Sequence, residues 1–331
     1  MSELNTSEPR FQEMKAWLES GLEHSPFQIQ LASGDASFRR YFRVLVDDDS
    51  FIVMDAPPDK EDCKPFIEIA SALQKSGLHS PQILQQDLSR GFLLLTDLGD
   101  QQYLQVLDEN NVDRLYGDAL SALATLQACA AIHYDFPAYD EALLKTEMSL
   151  FTDWLISQHL SISLSQDEEA MFAQAFEFLS QSALAQPQVP VHRDYHSRNL
   201  MVNQDHNPGI LDFQDAVMGP VTYDLVSLLR DCYIAWPRER VESWVKGYHQ
   251  LACQSGILKE ENEAGFLRWF DLMGVQRHLK AAGIFARLNY RDNKPAYLQD
   301  VPRTVGYIIE VSQRYPELQP LHQFLSRIDQ C

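Results

Sequence analysis

The stretch Val191–Ala216, VHRDYHSRNLMVNQDHNPGILDFQDA, packs three His, four Asp, two Arg and three Asn between short apolar runs. Those runs are Val191, Leu200-Met201-Val202 and Ile210-Leu211. A solvated loop tolerates such a composition, and so does a site that must hold metal and phosphate. The runs favour the second reading because they pattern as strands. LMV and GILDF read as a small hairpin, residues 200–202 against 210–213, turning at NQDHNPG. That pairing brings Asp194, Asn199 and Asp212 together at the hairpin ends.

The spacing has a chemical meaning. His192-Arg193-Asp194, four residues, Asn199 and then Asp212-Phe213 match a phosphoryl-transfer pattern. A hydroxyl attacking phosphorus needs a carboxylate to orient it and take its proton, a role that fits Asp194. Mg²⁺ takes hard oxygen ligands, here the carboxylate of Asp212 and the amide oxygen of Asn199. A zinc pair of His192 and His196 would need a helix, against Pro190 and the strand-like flanks. His196 is instead expected to bond within the loop or to lie near the transferred phosphate.

Working outward, the first hundred residues read as helix (about 9–20), three strands, a helix (63–77) and two more strands, with turns at Gly34-Asp35 and 47–50. After Gly99 the pattern is helical, roughly at 111–132, 140–160, 166–184, 221–234, 238–255, 260–288 and 297–314. The expectation is an α+β chain of two lobes. Residues 1–97 form a small antiparallel sheet lobe with one helix that binds nucleotide. Residues 98–331 form a larger, mainly helical lobe that carries the catalytic loop and the substrate site. Crevices between such lobes take ligands.

The 331 residues carry 45% apolar side chains and a net charge of −20, from 27 basic and 47 acidic residues. That balance repels nucleic acid. No apolar run approaches the ~18 residues that span a bilayer, and Leu120–Ile132 reads as a buried helix. The N-terminus lacks a signal-peptide pattern. Five scattered Cys without a CxxC pair point to free thiols in a reducing, cytoplasmic compartment. Nothing implies a protein partner.

With its neighbours, the opening stretch reads VHRDYHSRNLMV…GILDFQDAVMGPVTYDLVSLLRD. It resembles the aminoglycoside phosphotransferase and choline kinase family, which shares the protein-kinase-like fold. The resemblance implies ATP and Mg²⁺. It also matches Asp224 to the family's Gly-Pro-x-x-x-Asp-Leu run, as a helix cap that braces the loop. The short Asp212-to-Asp224 segment lacks Ala-Pro-Glu, which favours a small-molecule acceptor over a protein. SGDASFRRYFRV, FIVMDAPPD, LLLTDLGD and GVQRHLKAAGIFARL are similar to the bacterial anomeric kinases of N-acetylmuramate and N-acetylglucosamine. This likeness runs from about Phe27 to Leu288. It implies a sugar 1-kinase of peptidoglycan recycling.

The same resemblance frames the nucleotide side. Residues 33–41 stand where the fold places a loop over the phosphates; backbone N–H groups of Ala36–Phe38, the Ser37 hydroxyl, and Arg39 or Arg40 are its candidate ligands. The third-strand Lys is absent, with Met54 in its place, so Arg39, Arg43 or Lys64 must supply the charge. Glu68 is the candidate helix glutamate. Thr96 and Leu98 are the hinge positions facing adenine. Substrate candidates are His196, Arg198, Arg230, Asp231, Arg277 and His278, an Arg suiting a lactyl carboxylate. Two other readings remain: a kinase of an aminoglycoside, choline-like or other small alcohol, and a non-catalytic nucleotide-binding regulator.

Overall fold

The computed structural model describes residues 7–22, 25–34, 38–259 and 262–328. Helix α1 (Pro9–Gly21) precedes strands β1 (Gln28–Gly34), β2 (Arg40–Val46) and β3 (Asp49–Asp55). Helix α2 (Lys64–Lys75) and strands β4 (Ile83–Asp87) and β5 (Phe92–Thr96) follow. The five strands form one antiparallel sheet in the order β1-β2-β3-β5-β4. Alternation along the strands divides their side chains between its faces. Phe42, Val53, Phe92 and Leu94 pack with Phe11, Met14 and Leu18 of α1. Met54, Leu93 and Leu95 face the other way, into a core with Phe66, Ile69 and Leu73 of α2. The same core continues through Tyr103, Leu115 and Phe213, so the sheet and the helical part share one interior.

The helical part holds α3 (Tyr103–Val106), α4 (Val112–Cys129), α5 (Glu141–Leu150) and α6 (Gln166–Leu184). Two short ladders then frame the opening stretch. Strand β6 (Gln188–Val191) pairs with β9 (Val217–Pro220), and β7 (Leu200–Met201) pairs with β8 (Gly209–Ile210). Helices α7 (Tyr223–Leu229), α8 (Arg238–Gln254), α9 (Glu263–Asp292), α10 (Val301–Ser312) and α11 (Gln319–Ile328) complete the chain. Helix α9 lies against the end of α5, where the chain passes into a π-helical segment, Phe151–His159. A Cβ on Gly283 would meet the Leu150 carbonyl carbon at 2.3 Å, so only glycine permits that approach.

Several sequence expectations change in detail. The central hairpin is shorter than predicted, because Val202 N–H donates to Gln101 O instead of continuing the ladder. The helix expected over 221–234 ends at Leu229. The β6–β9 ladder and helices α3 and α11 were not anticipated. Val112–Ile132 is long and apolar enough to cross a membrane by length and composition alone. In the fold it buries Leu115, Tyr116, Leu123 and Leu126 in the core. Cys63, Cys129, Cys232 and Cys253 are free thiols.

Candidate active site

The loop between β6 and β7 is held from below by two buried carboxylates. Asp224 accepts hydrogen bonds from His192 N–H at 2.6 Å and Arg193 N–H at 3.0 Å. It makes no cap for its own helix, whose first flanking residue, Thr222, also lacks a side-chain cap bond. Burial pushes Asp224 up to about 7, against the pull of those two N–H groups. Asp231 accepts from Ser197 N–H at 2.9 Å and the Ser197 hydroxyl at 2.5 Å. Backbone strain marks both sides of the site: Arg193, in this loop, has φ 76°, and Asp212, just after β8, has φ 63°, left-handed values that surrounding bonds must enforce.

These anchors converge the predicted residues. Asn199 Nδ2 donates to Asp194 O at 3.0 Å and to Asp212 Oδ2 at 3.3 Å. Gln214 Nε2 donates to Asp212 Oδ1 at 2.8 Å, while the buried Gln214 Oε1 has no partner. His192 Nε2 meets Leu211 O at 2.9 Å and its Nδ1 accepts from Asp194 N–H at 3.3 Å. Both ring nitrogens are therefore occupied within the loop, which excludes the zinc pairing. Burial lowers His192 to about 4, so it is neutral near pH 7. Burial opposes ionisation of Asp194, but Lys280, His196, Arg277 and His192 outweigh it and hold this carboxyl at about 2.

Two cavities meet here. One, of about 420 Å³, lies beneath the sheet and is lined by Ala32, Ile52, Leu95, Thr96 and Leu98. The other, of about 640 Å³, is lined by Asp194, His196, Tyr233, Arg277 and Lys280. Gln102, Arg198, Asn199 and Asp212 belong to both walls.

Other predicted residues fall in different places. Ser37 and Ala36 lie outside the described residues. Phe38 is 63% exposed, and its N–H donates to Glu61 Oε1 at 3.3 Å instead of facing a phosphate. Arg39 lines the larger cavity and pairs with Glu61 at 2.8 Å. Arg40 is committed elsewhere, to Glu8 and the buried Asp55. Arg43 grips Asp97 through Nε at 2.6 Å and donates to Gly99 O at 2.8 Å, so it braces the hinge. Lys64 and Glu68 pair at 3.7 Å on exposed helix surface, and Glu68 is on neither cavity wall. Thr96 and Leu98 both line the smaller cavity, but Thr96 spends its N–H on Gln82 O and accepts from Gln82 N–H through its hydroxyl.

On the acceptor side, His196 and Arg198 line the larger cavity, Arg198 stacking over Tyr233 at 3.6 Å. His196 packs edge-on to Tyr233, and its buried Nδ1 has no partner. Three substrate candidates lie off both cavity walls. Arg230 is buried in a two-pronged pair with Glu310, away from both cavity walls. Asp231 is spent on Ser197 and on Tyr233 N–H. His278 is buried against Arg230 O. The sequence reading missed Glu61, Gln214, Lys280, Arg287 and Glu147. Gln214 directly follows Asp212-Phe213, so proximity to the metal-type carboxylate could have flagged it. Buried Glu147, from α5, is paired with Arg193, Tyr139 and Lys280, and so ties α5 and α9 to the loop.

The donor set fits Mg²⁺. Asp212 offers a carboxylate, Asn199 an amide oxygen, and the unpartnered Gln214 Oε1 lies beside them. No group of three His, Cys, Asp or Glu gathers among the described residues. Magnesium at nucleotide sites takes one or two protein oxygens, completed by phosphate and water.

The Phosphotransferase enzyme family profile matches residues 28–265, and the chain belongs to this family. It is a kinase acting on a sugar hydroxyl. It is 47% identical to the N-acetylmuramate/N-acetylglucosamine kinase of Pseudomonas aeruginosa, over 98% of both chains. Identity to the Pseudomonas putida kinase of the same name is 46%, over 96% of both. The fold is that of an ADP-bound aminoglycoside phosphotransferase (TM-score 0.59, 16% identity, 90% of this chain and 98% of that one). A Plasmodium vivax ethanolamine kinase is similar too (TM-score 0.63, 10% identity, 96% and 97%).

Proposed function

We propose that this kinase transfers the γ-phosphoryl group of ATP to the anomeric hydroxyl of an N-acetylated amino sugar. The acceptor is N-acetylmuramate, N-acetylglucosamine or both, and the product is the 1-phosphate. The setting is peptidoglycan recycling in the cytoplasm. The reading is carried by one observation: the smaller, hinge-lined cavity and the larger, charged cavity meet at Asn199 and Asp212, beside Asp194. The names of the two Pseudomonas relatives support the sugar assignment.

In this reading residues 1–97 are the nucleotide-binding lobe and residues 98–331 carry the acceptor. Adenine lies against Leu95–Leu98, with Leu98 the hinge contact. Arg39, set by Glu61, takes the place of the absent third-strand Lys at the phosphates. Asp194 orients the sugar hydroxyl. The sugar oxygen attacks the γ-phosphorus, the bond from that phosphorus to the β,γ-bridging oxygen breaks and ADP leaves, and the hydroxyl proton passes to Asp194. A carboxylate held at about 2 is a weak base, so it takes the proton late, as a loose transition state permits. The anomeric hydroxyl is the most acidic on the ring and suits such a base. Asp212 and Asn199 would hold Mg²⁺, with Gln214 beside them; the ion, when bound, neutralises charge on the phosphate oxygens. His196 and Arg198 face the acceptor.

The test is purified protein with MgATP and a panel of N-acetylated sugars, plain hexoses, aminoglycosides and choline-like alcohols, scored by ADP release. Turnover confined to the N-acetylated amino sugars supports the reading. Turnover only with aminoglycosides or amino-alcohols replaces it, and ATP binding without any turnover leaves the regulator.

A further inference from the structure

The larger cavity carries charge opposite to that of the chain. Its wall holds five cations, Arg39, Arg198, Arg277, Lys280 and Arg287, against three carboxylates, Asp194, Asp212 and Asp215. The whole chain has 27 basic and 47 acidic residues. Transferred phosphate accounts for part of this, so what matters is which cation is left over.

Four of the five are already engaged. Arg39 pairs with Glu61, and Lys280 with Glu147 at 3.1 Å. Arg198 is stacked over Tyr233 with Tyr297 nearby. Arg277 is buried beside the loop, donating to Cys232 Sγ at 3.7 Å and helping to keep Asp194 ionised. Arg287 differs. Arg198 and Arg277 also lack an ion-paired carboxylate, and the Nε atoms of Arg39 and Arg277 also make no hydrogen bond, but each of these three is held by another contact. Among the described residues Arg287 makes no ion pair, hydrogen bond or ring contact at all. Burial and the neighbouring Arg291 push its pKa down, and Asp292 only partly offsets this. A half-buried cation held without an anion is costly unless an anion visits.

Its position says which anion. Arg277, Lys280, Ala281, Ile284 and Leu288 form one wall-facing stripe of α9, and Arg287 extends it. Arg287 stands ten residues beyond Arg277, about 15 Å along the helix axis, and so at the end away from Asp194. The α9 cations that act on Asp194, where the phosphoryl group is transferred, are Lys280 and Arg277. A sugar whose anomeric hydroxyl meets Asp194 points its opposite ring edge toward Arg287. On N-acetylmuramate that edge bears an ether-linked lactyl carboxylate; on N-acetylglucosamine it bears a neutral hydroxyl. Ile284, Phe285 and Leu288 supply apolar wall for the lactyl methyl group.

We propose that Arg287 binds the acceptor's carboxylate and is the specificity-determining residue that favours N-acetylmuramate over N-acetylglucosamine. The inference rests on the amino-sugar reading above. The experiment measures kcat/KM for both sugars, and for the uncharged carboxamide of N-acetylmuramate, with wild type, Arg287→Ala and Arg287→Lys. In Arg287→Ala, kcat/KM for N-acetylmuramate falls about tenfold or more, the loss of one charge-assisted contact, mainly through KM. Turnover of N-acetylglucosamine stays within about twofold, which also shows the variant to be folded. Arg287→Lys recovers part of the loss, and the carboxamide is disfavoured by wild type but not by Arg287→Ala. An equal fall for both sugars, or none for N-acetylmuramate, overturns the proposal while leaving the amino-sugar reading intact. Failure of wild type to phosphorylate either sugar overturns both.

Discussion

The two cavities solve their tasks by opposite means. Apolar side chains of the sheet, such as Ala32, Ile52 and Leu95, and Leu98 just beyond β5, contribute prominently to the smaller one. A ligand there meets shape and main-chain groups, so many sequences serve. The larger cavity displays charged side chains brought together from distant segments: Arg39, the 194–215 loop and helix α9. There the side-chain identities carry the chemistry, and their supports are equally specific, as with Asp231 on Ser197 and Glu147 on Lys280. The difference predicts where substitutions should hurt.

The contrast breaks first at Asp194. Asp194→Asn keeps the shape but cannot accept the hydroxyl proton, so turnover should fall by ~10²-fold or more. ATP binding should be nearly unchanged. Steady-state turnover beside calorimetric ATP titration checks this, and wild-type turnover would remove Asp194 from the chemistry.

Asp212→Ala comes next, because Asp212 lies on both walls. It should weaken Mg²⁺-dependent ATP binding by about tenfold or more, Asn199→Ala and Gln214→Ala by less, since an amide brings a dipole where the carboxylate brings charge. Titrations with and without Mg²⁺ decide it. An unchanged Mg²⁺ dependence in Asp212→Ala would mean that the metal is held elsewhere.

Arg39 and Arg43 sharpen the comparison further. The sequence could not choose between them, as both sit on one predicted hairpin. In the structure Arg39 faces the charged cavity, and Arg43 is spent on Asp97 and Gly99. Arg39→Ala should raise the ATP KM or lower kcat by about tenfold, in keeping with a charged phosphate contact. Arg43→Ala should act mainly on thermal stability. The reverse pattern would exchange their assignments.

How much was legible follows the same division. The Asp194, Asn199, Asp212 set could be read because a short loop and a hairpin fix its geometry, and local spacing is what a sequence displays. The two-layered sheet was legible from alternation, as at Val53 and Met54, which face opposite cores. The partners of isolated charges were not. Arg230 looked like a substrate ligand until Glu310, eighty residues away, appeared beside it. Arg287 belonged to a recognised phrase, yet only the fold shows it facing the cavity without a carboxylate partner.

The smallest effect concerns acid stability and is specific to the helical part. In the unfolded chain imidazoles take up protons near pH 6.5. In the fold burial depresses His192 to about 4 and His278 to about 3. Between pH 6.5 and 4 the unfolded chain protonates both imidazoles, while of these groups the folded chain protonates only Asp224, held at about 7 against an unfolded value of 3.8. The imidazoles outnumber the opposing carboxyl, so stability declines as pH falls toward 4. Denaturant midpoints across that range should fall gradually, and a flat profile would contradict the neutral, buried imidazoles.

The central claim is that the two cavities pass a phosphoryl group to the anomeric oxygen of an amino sugar. Its most direct measurement is NMR of the product formed from MgATP and N-acetylmuramate or N-acetylglucosamine. Phosphorus coupled to the anomeric proton is the predicted result. Phosphorus coupled to the protons at carbon 6, with the anomeric proton uncoupled, would contradict it.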